Sequence, residues 1–257
     1  MHALEGLQIY YNSSNKSNIY HDVVGIILNN LEKMESATIY EVAEICYVSP
    51  TTISRLSRKL GYRSFQEFKS NLVDSVKNYE VLNRYISFND KAKYKDGITA
   101  YLELLSTQIE LLKSELNVAE LDRRASWIHS CRNIHFYTNG IIFSEYRFQG
   151  DLIMAGHATE IKTSPLEQME DIKKLGPEDL IIMTLPVVQD AVSVNDILKR
   201  IKEKNVQLFI LTDAHYPLFQ KYADDIYCFE GALGIIDDYR FSMYLNLLSI
   251  RFRELYL

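Results

Sequence analysis

Four cationic side chains, Arg55, Arg58, Lys59 and Arg63, stand within nine residues of one another, and small hydroxyls crowd the positions around them: Ser49, Thr51, Thr52 and Ser54. A guanidinium group offers planar N–H donors that match phosphate oxygens or the paired acceptors on a guanine edge. Short alcohols can donate to either target. Residues 49 to 69 carry five cations against Glu67 alone, a window of +4, while the 257-residue chain as a whole carries a formal charge of -6. The positive charge is therefore local. Screening confines each charge to a range of about 10 Å at moderate salt, so a basic face can operate on an acidic molecule.

The elements that position these side chains are legible from their punctuation. Thr38-Ile-Tyr-Glu41 reads as a capping box opening a short helix, with Ile39, Val42, Ala43 and Cys46 at i, i+3, i+4 and i+7 on one face. Tyr47 and Val48 form the break. Ser49 is then a good N-cap with Pro50 at the first helical position, and Gly61 is the residue type that accepts the left-handed turn after a last helical residue. Ser64-Phe-Gln-Glu67 reads as a second capping box, starting a helix with Phe65, Phe68 and Leu72. Projected at about 100° per residue, Ile53, Leu56 and Leu60 fall on one side of the second helix with Ser57. Thr51, Thr52, Arg55, Arg58 and Lys59 fall opposite, with Ser54 at the flank. Two helices joined by so tight a turn form a helix-turn-helix, and the second suits a recognition helix whose N-terminal residues reach base edges in a major groove.

The stretch Ile39 to Lys69, IYEVAEICYVSPTTISRLSRKLGYRSFQEFK, resembles the DNA-binding region of RpiR/MurR-type bacterial transcriptional regulators through Ala43, Val48-Ser49, Thr52, Ser54-Arg55, Lys59 to Tyr62, Phe65 and Lys69. The resemblance implies a C-terminal sugar isomerase (SIS) domain, a doubly wound α/β module that senses phosphosugars. Independently, the pattern changes from Asn133 onward. Ile134–Thr138, Leu180–Thr184 and Gln207–Thr212 are short apolar runs separated by helical stretches, the signature of parallel strands with crossover helices, and Ala223-Asp224 precede a last strand. We thus expect two domains: an all-α helix-turn-helix domain over 1–78, a polar linker over 79–97, and an α/β parallel-sheet, SIS-like domain over 98–257.

Ligands of open α/β sheets lie at the carboxyl ends of the strands, here the loops 138–144, 185–191 and 212–217. The family places two glycines and a serine in the first loop and Ser-x-Ser-Gly-x-Thr in the second. This chain has Thr138-Asn-Gly-Ile-Ile142 and Leu185-Pro-Val-Val-Gln-Asp190. Hydroxyls and free backbone amides hold a phosphate in such loops, and Pro186 lacks its N–H while Asp190 adds a negative charge. The phosphosugar site therefore reads as degenerate. Asn139, Gly140, Ser144, Thr184 and Gln189 are the nearest polar candidates for a sugar phosphate or another small effector.

Further stretches have two readings. Ile98, Leu102, Leu105, Ile109, Leu112 and Leu116 form a heptad-like stripe that either packs on its own domain or joins a second copy. Phe241, Leu245, Leu248 and Phe252 trace one face of a last helix, buried in the domain or in a subunit interface. The six histidines show no metal-ligand spacing and the three cysteines, Cys46, Cys131 and Cys228, no paired motif. Neither a secretory leader nor an apolar run of about 20 residues is present. Together with the resemblance, which implies a regulator of carbohydrate metabolism, these features lead us to expect a cytoplasmic, non-enzymatic, cofactor-free protein. It would bind double-stranded DNA at a palindromic operator as a homodimer or higher symmetric oligomer. A sugar-phosphate isomerase, or an adaptor whose helical domain binds protein instead of DNA, are the rival readings.

Overall fold

The computed structural model describes residues 3–14, 17–78, 96–138, 143–185, 191–213, 215–229 and 238–257. The chain divides into two compact units, Met1–Leu82 and Asn83–Leu257. Most of the stretch read as a linker, residues 79–95, lies outside the described residues.

The first unit is helical: α1 (Ala3–Ser13), α2 (Ile19–Leu28), α3 (Leu31–Met34), α4 (Ile39–Ile45), α5 (Pro50–Lys59) and α6 (Phe65–Lys77). Its core draws on nearly every helix, with Leu7 of α1, Val24 and Ile27 of α2, Met34 of α3, Val42 of α4, Ile53 and Leu56 of α5, and Phe68 and Leu72 of α6 all buried together. Each such side chain contributes about 1.5–3 kcal/mol by leaving water. Short helices of this kind are held by that shared core, since helices under about 12 residues are marginal in isolation.

The second unit runs α7 (Gly97–Glu115), α8 (Val118–Ser130), β1 (Asn133–Tyr137), α9 (Phe143–Met154), β2 (Ala158–Lys162), α10 (Pro165–Ile172), β3 (Asp179–Leu185), α11 (Ala191–Glu203), β4 (Gln207–Thr212), α12 (Pro217–Tyr222), β5 (Asp225–Cys228) and α13 (Asp238–Tyr256). The five strands are all parallel, in the order β2-β1-β3-β4-β5. Alternation along the strands sends Ile134, Phe136, Leu180, Ile182, Phe209 and Leu211 to one face, where α8, α9 and α13 cover them. Tyr137, Ile181, Met183, Leu208 and Ile210 face the other layer, under α10, α11 and α12. Burial on both faces explains why β3 reads as a continuous apolar run with no alternation. This is the expected doubly wound α/β fold.

The structure also decides between some of the open readings. Phe241, Leu245, Leu248 and Phe252 are all buried in the unit's own core. The α7 stripe divides: Leu112 is buried, whereas Ile98, Leu102 and Ile109 stay exposed. Strand β2 went unread in the sequence because it is a half-exposed edge strand with the polar composition Ala-Thr-Glu-Ile-Lys.

Two buried polar clusters tie helices to the sheet. The guanidinium of Arg124 is 7% exposed. It donates to both Asp225 carboxylate oxygens at 2.8 and 3.2 Å and to the Tyr244 hydroxyl at 2.6 Å. On the opposite face His135 Nδ1 lies 2.7 Å from Asp171 Oδ2, which also accepts from the Tyr137 hydroxyl at 2.9 Å. These partners satisfy charges that would otherwise be costly to bury.

Candidate nucleic-acid interface

The turn region is built as its punctuation implies, with one exception. At α4 the capping box is complete: Thr38 N donates to Glu41 Oε2 at 2.6 Å and Glu41 N donates to Thr38 Oγ1 at 3.3 Å. Ser49 caps α5, its Oγ accepting from Thr52 N at 3.2 Å and lying 3.0 Å from the Thr52 hydroxyl. Gly61, at φ +91°, closes α5 with two bonds, Gly61 N to Arg58 O and Tyr62 N to Ser57 O, both 3.0 Å. That pair is the Schellman arrangement, which satisfies the last carbonyls. The exception is α6. Ser64 Oγ accepts from Glu67 N at 3.1 Å, but the Glu67 carboxylate takes its backbone bond from Arg63 N at 2.7 Å and not from Ser64. The box is half-formed there because the Arg63 guanidinium draws the carboxylate one residue further out.

The projection of α5 holds. Ile53 and Leu56 are buried, as is Ser57, whose hydroxyl is satisfied by Ile53 O at 3.0 Å. Thr51, Arg55, Arg58 and Lys59 are exposed, and Thr52 and Ser54 are half-buried at the flanks. The four cations then divide. Arg55 and Arg58 make no ion pair or side-chain hydrogen bond among the described residues. Arg63, its side chain 91% exposed, is held by Glu67 at 2.9 Å. Lys59 Nζ lies 5.9 Å from the centre of the Tyr10 ring. The face thus presents two uncompensated guanidiniums, with Thr51 beside them, and two cations that are partly engaged at home. Such a surface can form bidentate bonds to phosphate or to a guanine edge, and at the capped helix start, where Pro50 has no N–H and Ser49 holds Thr52 N, the Thr51 N–H is left for an anion.

In the second unit, Ser144 and Thr184 come together at the carboxyl ends of β1 and β3, and both are buried. Their hydroxyls lie against the carboxyl of Glu145, Thr184 Oγ1 at 3.3 Å and Ser144 Oγ at 3.5 Å. Glu145 is 1% exposed. Burial pushes its carboxyl up to about 7, against the lowering effect of its own backbone N–H and of these two hydroxyls. Sequence reasoning missed this residue because a glutamate in a helix's first turn reads as a dipole partner. The signal was its spacing: Glu145, Phe148 and Leu152 lie at i, i+3 and i+7 on the buried face of α9. Asn139, Gly140 and Gln189 lie outside the described residues. Among the described residues no group of three or more His, Cys, Asp or Glu side chains could hold a metal ion. None of the helices there is long and apolar enough to cross a membrane.

Fold and site together define a helix-turn-helix protein with a second, doubly wound α/β unit. Residues 1–79 match the model of the helix-turn-helix domain of the rpiR family. No curated protein matches the chain in sequence. Among solved structures, the Vibrio vulnificus NanR protein complexed with ManNAc-6P is similar over 99% of this chain and 92% of its own, at 15% identity and TM-score 0.53. A ligand-bound protein from Escherichia coli is similar over 63% of this chain and 93% of its own, at 10% identity and TM-score 0.50. The sugar isomerase domain of an RpiR transcription factor from Sphaerobacter thermophilus covers 60% of this chain and 90% of its own, at 16% identity and TM-score 0.48. The two-domain architecture is therefore one that NanR also has, reached at a low level of sequence identity.

Proposed function

We propose that this chain is a sequence-specific, DNA-binding transcriptional regulator of the RpiR type, not an enzyme, that works in the cytoplasm. The observation that carries the reading is the outer face of α5, where Arg55 and Arg58 stand exposed without partners among the described residues, on a helix whose back is locked into the core. Ser49, Thr51, Thr52 and Ser54 supply the short donors at its start, with Lys59 and Arg63 at its end. The assembly is a homodimer or higher symmetric oligomer. Support comes from the exposed Ile98, Leu102 and Ile109 of α7, and from an apolar groove of about 320 Å³ between α7 and α13, lined by Ile109, Leu112, Leu116, Met243 and Leu247. Two recognition helices about 34 Å apart would then read a palindromic operator.

The α/β unit carries the control signal. Its effector site lies at the carboxyl ends of β1 and β3, beside Ser144 and Thr184. NanR is complexed with ManNAc-6P. Here the loop hydroxyls are missing and Glu145 brings a carboxyl to the place, so a phosphosugar is not held in the usual way.

Two measurements test the reading. Gel shifts with the DNA upstream of the gene, at several salt concentrations, are expected to show binding whose logarithm falls linearly with the logarithm of salt. Absence of any shift at low salt would refute the regulator. Thermal-shift titration with sugar phosphates is expected to give no stabilisation, and a saturable rise at millimolar ligand or below would overturn the degenerate site.

A further inference from the structure

Four described residues adopt left-handed backbone conformations: Gly61, Gly156, Asn205 and Tyr47. Three of them are the residue types that tolerate it, glycine because it lacks a Cβ and asparagine because its short amide bonds locally. Tyr47, at φ +55°, breaks the rule. A bulky aromatic residue at that conformation carries a cost of about 1–3 kcal/mol. Its side chain contributes nothing visible in return. Tyr47 is 91% exposed, and its side chain makes no hydrogen bond or ring contact among the described residues. Glycine would satisfy the same turn, which is closed by the backbone alone through Tyr47 N to Glu44 O at 3.1 Å and Val48 N to Ala43 O at 2.9 Å. A local rule broken without compensation inside the molecule points to a use outside it.

The position says which use. Val48 packs against the helical core, and the residues on either side of it, Tyr47 and Ser49, both face solvent. The phenol therefore stands on the outside of the turn, two residues before the N-cap of α5. At that helix start Pro50 has no N–H and Thr52 N is held by Ser49, so the Thr51 N–H is the one left in the first turn, among the described residues, to meet an anion. Tyrosine hydroxyls are among the side chains that bind DNA phosphate.

We infer that Tyr47 is a DNA-binding residue, its hydroxyl donating to a backbone phosphate at the start of the recognition helix and fixing the register in which α5 enters the groove. This rests on the DNA-binding reading above and adds to it a contact from the turn. The left-handed backbone closes the turn after α4, and the ring carried at that position is exposed. A neutral hydroxyl displaces no counterion, so this contact adds affinity without adding salt dependence.

The test compares wild type, Tyr47→Phe, Tyr47→Gly and Arg55→Ala/Arg58→Ala on the same upstream DNA fragment, by gel shift across salt and by thermal melting. Tyr47→Phe, which removes only the hydroxyl, is expected to bind about tenfold more weakly. Tyr47→Gly is expected to lose at least as much affinity while melting at the same or a higher temperature, a combination no purely structural role produces. Both are expected to keep the wild-type salt slope, whereas the arginine pair lowers it. Wild-type affinity in both tyrosine variants would overturn the inference and leave the DNA reading intact, as would a loss of affinity that follows a loss of folding. Failure of the wild type to shift the fragment would instead remove the DNA reading, and this contact with it.

Discussion

The two units use arginine in opposite ways. In the helical unit Arg55 and Arg58 reach into solvent with no acid paired to them among the described residues. In the α/β unit Arg124 and Arg240, 7% and 2% exposed, are each closed by a carboxylate, Asp225 and Glu115. A paired, buried guanidinium is an internal fastening whose removal strands its partner. An unpaired, exposed one adds almost nothing to folding and is free for a polyanion outside the molecule. The contrast marks out the proposed recognition surface more sharply than composition does, since the chain as a whole is acidic.

That comparison can be broken by substitution. Replacing Arg55 and Arg58 together with alanine is expected to weaken gel-shift binding about a thousandfold, with an unchanged circular dichroism melt. A melt lowered by several degrees would show that these side chains serve the fold after all. Arg124→Met should do the reverse. It leaves Asp225 and the Tyr244 hydroxyl without their buried donor and is expected to cost about 4 kcal/mol in denaturant unfolding of the α/β unit. A loss under about 1 kcal/mol would mean that Arg123, which also reaches Asp225, is sufficient.

Glu145 sharpens the contrast from the acidic side. Its carboxyl is raised from the ordinary 4.5 to about 7 by burial, so the folded state holds a proton that the unfolded chain has released. Its effect is neutral below about pH 4.5, turns destabilising as pH rises to 7, and stays at its full size above. Glu145→Gln is therefore expected to be more stable than wild type by about 3 kcal/mol at pH 8 and nearly equal to it at pH 4. A difference independent of pH would show that the carboxyl does not titrate there. The smallest effect belongs to Ser49→Ala, which removes the cap of α5 and should cost about 1 kcal/mol, read as a small drop in melting temperature.

How much of this was legible in the sequence follows from where the governing interactions are. The cap at Thr38, the start and stop of α5 at Ser49 and Gly61, and its two faces are local effects within a few residues of one another, and they were readable as spacing. The central strands announced themselves because burial on both sides makes them uniformly apolar. What escaped needed the fold. The pairing of Arg63 with Glu67 competes with an equally plausible capping box one residue further along the same sequence. The strain at Tyr47 is visible only in a backbone angle. The meeting of Glu145 with Thr184 joins residues 39 positions apart, and only the packing of α9 against the end of β3 brings it about.

The rim of the sheet at β2 sets a limit on assembly. There Glu160 and Lys162, two positions apart on the outermost strand, sit side by side in an ion pair, and Thr159 and Ile161 alternate with them. A second sheet approaching that rim to continue the ladder would have to strip hydration from both ions before gaining a single backbone bond. Growth of the sheet strand by strand into a fibre is thus opposed at this margin.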